Sequence, residues 1–344
     1  MGVGQNSTAG DAAVSNALFT WILQDGVASI GRILFTAALS TRFDSDLKMW
    51  RFAADIFNDL AVFLEILASH VQVWDPNVAL ALACSGTIFR SVTGIAGGAT
   101  KAALSHRFSL KHNTGDISAK DGNQETLVSL FGMALGSYLI ATIPDTKEFT
   151  AITFAIFTFF HLLANYLAVR NVVLRTWNDQ RFRICVRDYL STSSSTVPTP
   201  AQVSAKEWIL WLPRFDGPSH IQIGADKIMS SSESLAFQHA KHLVFLEGES
   251  RVSRSGLDSQ YPKQITVLLH EAASGNDILF AYFHAVLITT LDAPTSLESS
   301  LAASESVFPD FLKQASSKGW TAGTSELEIM KSRFTWSSET KKRL

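Results

Sequence analysis

TLVSLFGMALGSYLIATI at Thr126–Ile143 and FTAITFAIFTFFHLLANYLAV at Phe149–Val169 contain no formally charged side chain, and only Pro144-Asp145-Thr146-Lys147-Glu148 separates them. At 1.5 Å per helical residue the two runs span roughly 27 and 31 Å, close to the ~30 Å hydrocarbon core of a bilayer. A short polar turn opening on Pro sends the second helix back antiparallel to the first. The stretch therefore reads as a membrane hairpin. Lys101, Arg107, Lys111 and Lys120 precede it, Arg170, Arg175, Arg181, Arg183 and Arg187 follow it, and the turn holds only Lys147. By the positive-inside rule both ends of the hairpin, and whatever follows, face the cytosol.

Outward from the hairpin, composition points the same way. Charged residues are 17% of the chain, against ~25% for soluble domains, and the deficit lies before residue 170. A net charge of -2 gives no field that would gather a polyanion, so nucleic acid is not an expected partner. Cys84 and Cys185 are the only cysteines, which leaves no disulfide framework and no zinc spacing and fits a reducing compartment. Met1–Asp11 has neither the cationic start and apolar stretch of a secretory signal nor an Arg-rich amphipathic leader.

Upstream, Val14–Ser40 is mostly apolar but interrupted at Asp25-Gly26 and Gly31-Arg32, which predicts two short helices or one broken helix. From Trp50 to Val73, the residues Phe52, Ile56, Leu60, Phe63, Leu67 and Val71 recur at helical spacing. In Val78–Ala99 the residues Gly86, Gly94, Gly97 and Gly98 would let helices approach closely, as would Gly132 and Gly136 in the hairpin. Lys111–Glu125 reads as a polar connection outside the membrane. Downstream, Ser191–Ser204 is rich in Ser, Thr and Pro and marks a linker. Beyond it, strands are expected at His220–Ile223, Leu243–Glu247 and Gln264–His270. Helices are expected at Ser232–Ala240, at Asn276–Leu291 with Asn276 as N-cap, and after Thr295, where Thr295–Glu298 has the capping-box form. The chain is thus expected to be mostly α. A disordered start (1–13) leads into a multi-helix, membrane-embedded N-terminal domain (14–190), followed by a linker (191–205) and a small α+β C-terminal domain (206–344).

Candidate site residues come from charges placed where they are expensive. Asp25, Arg32, Arg51, Asp55, Asp59, Glu65 and Arg90 lie in or beside apolar helices and could share an internal polar site. Arg51, Asp55, Asn58 and Glu65 fall within roughly 80° of helical arc, with Asp59 beside them. Alternatively they pair structurally, or the Trp50 helix lies at the interface with this face in water. Asp116, Lys120 and Gln124 recur at i,i+4 with Glu125 adjacent, a face for a polar ligand or protein partner, or else a solvated helix start with Asp116 as N-cap. His161 and Asn165 sit one turn apart in the second hairpin helix, where polar groups usually meet a protein neighbour. His239 and His242, three apart on the expected Ser232–Ala240 helix and its end, and His106 and His112, in the expected polar connection, supply too few ligands for a metal. Gly97-Gly98-Ala99-Thr100 lacks the GxxxxGK[ST] pattern of a phosphate loop. No GxSxG or HExxH occurs, so no catalytic centre, metal or cofactor is indicated.

Two stretches, Phe43-Asp44-Ser45-Asp46-Leu47-Lys48-Met49-Trp50-Arg51-Phe52-Ala53-Ala54-Asp55 and Gly97-Gly98-Ala99-Thr100-Lys101-Ala102-Ala103-Leu104 leading to Asp116–Thr126, resemble the root UVB sensitive family. Gln24-Asp25-Gly26 and Gly31-Arg32-Ile33 extend the resemblance to about Thr20–Arg187. Lys101 stands where the family usually has Arg, and Arg107 where it has His. The resemblance implies a membrane protein tied to ultraviolet-B responses, auxin transport or vitamin B6 homeostasis, with no established molecular activity. The expected role is an integral membrane scaffold or regulator of small-metabolite homeostasis or transport. Its partners would be the lipid bilayer, other proteins including family members, and a small-molecule ligand. The alternative is a soluble helical ligand-binding protein or enzyme whose apolar helices are buried.

Overall fold

In the computed structural model the described residues are 7–40, 42–142, 146–191, 196–209, 220–223, 234–238, 242–254, 257–290, 297–321, 327 and 333–334. The chain divides into two compact units, one of Met1–Arg170 with Ile209–Trp211 and one of Asn171–Trp208 with Leu212–Leu344.

The first unit is helical: α1 (Ser7–Leu39), α2 (Arg42–Ser45), α3 (Leu47–Val71), α4 (Pro76–Phe108), α5 (Thr114–Thr142) and α6 (Lys147–Asn171), whose last residue opens the second unit. α1 is continuous, against the break expected at Asp25-Gly26 and Gly31-Arg32. A glycine inside a helix costs about 1 kcal/mol relative to Ala, which packing can offset. At Gly31 a Cβ would stand 3.3 Å from Ile88 Cγ2 on α4. The end of α1 closes over an aromatic cluster, with Trp50 edge-on to Phe35 at 5.7 Å and to Phe43 at 5.3 Å.

α3 and α4 form an antiparallel pair, and its seam is not the apolar stripe read from the sequence. Phe63 and Leu67 stay exposed, whereas Ala54, Ala61 and Ala68 are buried at seven-residue spacing. Opposite them run Ala79, Gly86, Thr93 and Thr100, also seven apart, with Ala79, Gly86 and Thr100 buried. A Cβ on Gly86 would meet Ala61 O at 3.1 Å and Glu65 Cγ at 3.3 Å, and Thr93 Oγ1 donates to Ala54 O at 3.2 Å. Gly97 leaves room for Arg51 Nη1 at 3.4 Å, while a Cβ on Gly94, Gly98, Gly132 or Gly136 would meet nothing within 4 Å. Of the glycines expected to let helices approach closely, Gly86 is the one that does so between α3 and α4. Replacing Gly86 by Leu is expected to overpack this seam and destabilise the helical unit by about 1–3 kcal/mol. Reduced thermal stability of the purified full chain in detergent, beside an unaffected Gly94→Leu, is the check.

The polar stretch before the hairpin is itself helical from Thr114, so Asp116 lies in the first turn of α5, and Ile117 N–H donates to Asn113 O. Asp116 is therefore not the N-cap. The turn Ile143–Asp145 lies outside the described residues. α6 rests on α3, with Tyr166 edge-on to Phe52 at 5.7 Å and Phe154 stacked with Phe63 at 6.1 Å. Among the described residues four helices, Leu18–Leu39 of α1 with α4, α5 and α6, are long and apolar enough to cross a membrane. α5 buries none of its residues, and α6 buries only Val169.

The second unit holds α7 (Asp179–Ser191), α8 (Pro200–Lys206), β1 (His220–Ile223), β2 (Ser234–Gln238), β3 (His242–Arg254), β4 (Leu257–His270), α9 (Gly275–Thr290), α10 (Leu297–Ser317) and β5 (Arg333–Phe334). The sheet order is β1-β4-β3-β2, with β5 also pairing β4; β1 and β5 are parallel to β4, and the rest is antiparallel. The three expected strands are present. Ser234–Gln238, expected as helix, is a strand that takes its hydrogen bonds from β3, Ser234 opposite Leu246. α9 is apolar around its whole circumference, the pattern of a helix enclosed by protein, and Leu279, Ala281, Phe283 and Ala285 are fully buried. Its cap is Ser274, which accepts from Asp277 N–H at 3.3 Å while Asp277 Oδ2 accepts from Ser274 N–H, so Asn276 is not the N-cap. The Thr295-Ser296 start of the expected capping box lies outside the described residues.

The expected linker at 191–205 is instead largely built into this unit. Val197 and Val203 are buried, and Thr199 and Gln202 form a capping box on α8. The division between the units falls at Arg170/Asn171.

Candidate functional site

The charged face of α3 draws its partners from its own helix and from α4 and α6. Arg51 Nη2 lies 3.5 Å from Asp55 Oδ1, one turn on. Glu65 and Arg90 make a forked pair between α3 and α4, Arg90 Nη2 donating to Oε2 at 2.6 Å and Nε to Oε1 at 3.1 Å. Asp59 Oδ2 and His161 Nδ1 of α6 are 2.8 Å apart, and Asn58 Nδ2 donates to Asp59 Oδ1 at 3.4 Å. Five of the seven expected residues, Arg51, Asp55, Asp59, Glu65 and Arg90, are thus gathered along α3. Asp25 and Arg32 are not. They are exposed on α1 and join none of these pairs among the described residues.

His161 is the residue that the expected set omitted. It falls in the charge-free run that defined the hairpin, and its partnership with Asp59 depends on α6 lying on α3. Asn165, one turn on, donates back to His161 O at 3.0 Å instead of reaching another helix.

The second expected face splits. Lys120 pairs with Asp116 along α5 at 2.9 Å. Glu125 instead joins Asp121 in holding Lys101 of α4, at 2.7 and 2.9 Å. Gln124 is exposed. Lys101, a departure from the family pattern, therefore ties α4 to α5. Arg107, the other departure, donates to Asp44 O at 3.1 Å and holds α2 against the end of α4.

The second unit has a buried polar chain of a different kind. His239 lies outside the described residues, and His106 belongs to the last turn of α4. His242 is on β3, where its Nε2 lies 3.2 Å from His284 Nδ1, and His284 Nε2 lies 2.9 Å from Ser300 Oγ. All three side chains are fully buried. On α7, burial pushes the Cys185 thiol far up, which keeps it un-ionised and unreactive at neutral pH.

Comparison with known proteins adds the family context. Residues 1–193 match the family described as the vitamin B6 photo-protection and homoeostasis domain. The chain is 31% identical over 340 residues to protein root UVB sensitive 3 of Arabidopsis thaliana, across 93% of this chain and 72% of that protein. It is 37% identical over 212 residues to RUS family member 1 of Dictyostelium discoideum, covering 61% of this chain and 39% of that protein. It is also 28% identical over 365 residues to Arabidopsis root UVB sensitive 6, across 97% and 68% of the two chains. No solved structure gives a significant match.

Proposed function

We propose, from the premise that this chain belongs to the root UVB sensitive family, that it is an integral membrane protein regulating the homeostasis or transport of a small metabolite through the polar site on α3. The family description names vitamin B6, and vitamers of that kind are the first ligands to try. One observation carries this reading. α5 and α6 leave their apolar surfaces uncovered by their own chain, Phe131, Ile140, Phe159 and Phe160 among them. Core helices of a soluble protein would be enclosed, and an apolar face this long left open in water invites aggregation. Lipid is the environment that fits, with the basic flanks of the hairpin and the C-terminal unit toward the cytosol.

Placing α4 in the bilayer has a consequence for α3. Because α3 runs antiparallel along α4 from Ala54 opposite Thr93 to Ala61 opposite Gly86, it occupies the same depth. Its ion pairs then lie where unpaired charge is most costly and where polar residues line routes for ions and solutes. A second reading, a scaffold for partner helices from family members or other proteins, is favoured by α5, which buries none of its residues. The test is twofold. Alkaline carbonate extraction should leave the chain in the membrane pellet; release of intact protein would favour the soluble alternative. Thermal-shift measurements with B6 vitamers should give reproducible stabilisation, whereas stabilisation by none of them would leave the scaffold as the better account.

A further inference from the structure

We propose that Asp55, Asp59 and His161 form a proton-binding site between α3 and α6, loaded and emptied through the His161 imidazole; the proposal rests on the membrane reading above and names the ion that the polar site carries. Asp59 Oδ2 and His161 Nδ1, on different helices, are 2.8 Å apart, so a single proton is held between a carboxylate and an imidazole. Imidazole is the side chain that ionises nearest neutral pH. One turn earlier the Asp55 side chain is only 10% exposed, and its Oδ2 has no hydrogen-bond partner among the described residues. Its other oxygen meets Arg51 at 3.5 Å, longer than a charge-assisted hydrogen bond. A buried carboxylate oxygen with no donor beside it is unfavourable as an anion, and taking up a proton removes that penalty.

The charged groups bearing on Asp55 are Arg51, His161 and Asp59. Against the same stretch α4 presents Thr93, whose hydroxyl is engaged by Ala54 O, and Gly97, which makes room for the Arg51 guanidinium. Glu65 and Arg90 further along neutralise each other. Arg51 balances one of the two carboxylates, and an imidazolium at His161 balances the other. The site is therefore neutral when loaded and carries a single negative charge when empty. Within the loaded site the one proton sits on Asp55 Oδ2, with Asp59 ionised and His161 neutral, or on the His161–Asp59 pair, where the N–H bond at His161 Nδ1 breaks as an O–H bond forms at Asp59 Oδ2, leaving a neutral imidazole and a neutral carboxyl. The reverse transfer restores the ion pair. A site that alternates between neutral and singly charged at bilayer depth can tie solute movement to a proton gradient, since moving charge through low dielectric is the dominant cost.

Infrared difference spectroscopy of the full chain in phosphatidylcholine vesicles, taken across roughly pH 4 to 9, tests the assignment. The wild type should show a titrating carboxyl C=O band at the frequency of a group shielded from water. That band should weaken by about half in Asp55→Asn or in Asp59→Asn, and its midpoint should move in His161→Gln. Absence of the band in the wild type overturns the proposal. So does a band unchanged in both Asn variants or, if those fail to insert, a midpoint unchanged in His161→Gln. Failure of the membrane reading registers separately, as release by carbonate, whatever the band does.

Discussion

Replacing Glu207 by Ala should lower the unfolding temperature of the second unit by roughly 10 °C, the equivalent of about 3–5 kcal/mol. Arg181 on α7 and Glu207, the C-cap residue of α8, are 1% and 3% exposed, with Nη1 and Oε1 2.9 Å apart. Arg181 Nε also donates to Thr176 O at 2.8 Å, so the guanidinium is held at two points. Removing the carboxylate leaves a cation enclosed by protein, and that penalty, more than the loss of one hydrogen bond, sets the magnitude. The distinguishing control is the double variant Arg181→Met with Glu207→Leu, which should recover much of the loss because apolar groups of similar volume need no counter-ion. The measurement is thermal unfolding of the full chain in detergent, followed by tryptophan fluorescence. A Glu207→Ala chain melting within a degree or so of the wild type would mean that water reaches the pair readily.

Trp177→Ala is expected to produce a loss of similar size, about 3–5 kcal/mol, from a different cause. Trp177 is fully buried and stacks on Trp320 with centroids 3.8 Å apart and planes at 15°. Phe182 meets it edge-on at 5.3 Å, and Phe311 of α10 lies at 6.1 Å. The indole therefore joins the segment before α7 to α10 and to the residues after it, where Thr321 N–H donates to Arg175 O at 2.9 Å. Deleting it opens a cavity among side chains from several elements that cannot all collapse together. Trp177→Phe should keep more of the stability than Ala. Denaturant unfolding should show a lower midpoint with little change in slope. Equal effects of Phe and Ala would sink this cavity account, because the larger phenyl ring would then restore nothing.

The resemblance to this family was legible from two stretches of sequence, and so were the main helices and three of the strands. These features are local. A long charge-free run at Phe149–Val169 or an alternating apolar strand at Gln264–His270 specifies its own backbone state before it meets a partner. The misread elements are those whose partners decided them. Ser234–Gln238 reads as helix by composition, although Leu235 and Phe237 alternate, and it becomes a strand because β3 supplies its backbone hydrogen bonds. Gly26 and Gly31 read as breaks in the sequence, but α1 runs on through both, packed on α4 at Gly31. The stripe from Phe52 to Val71 was the conspicuous periodicity on α3, while the smaller Ala54, Ala61 and Ala68 spacing formed the seam with α4.

For the candidate site, the sequence by itself established that charges stand among apolar helices near Arg51, Asp55, Asp59, Glu65 and Arg90, because composition and helical spacing are properties of one segment. Which of them meet was decided only in the tertiary structure. Glu65 and Arg90 are brought together because Gly86 lets α4 approach Ala61, and Asp59 finds His161 because α6 rests its aromatic residues on α3. Pairing energies fall off over a few ångströms, so residues distant in sequence become partners only once packing has fixed the distance between their helices.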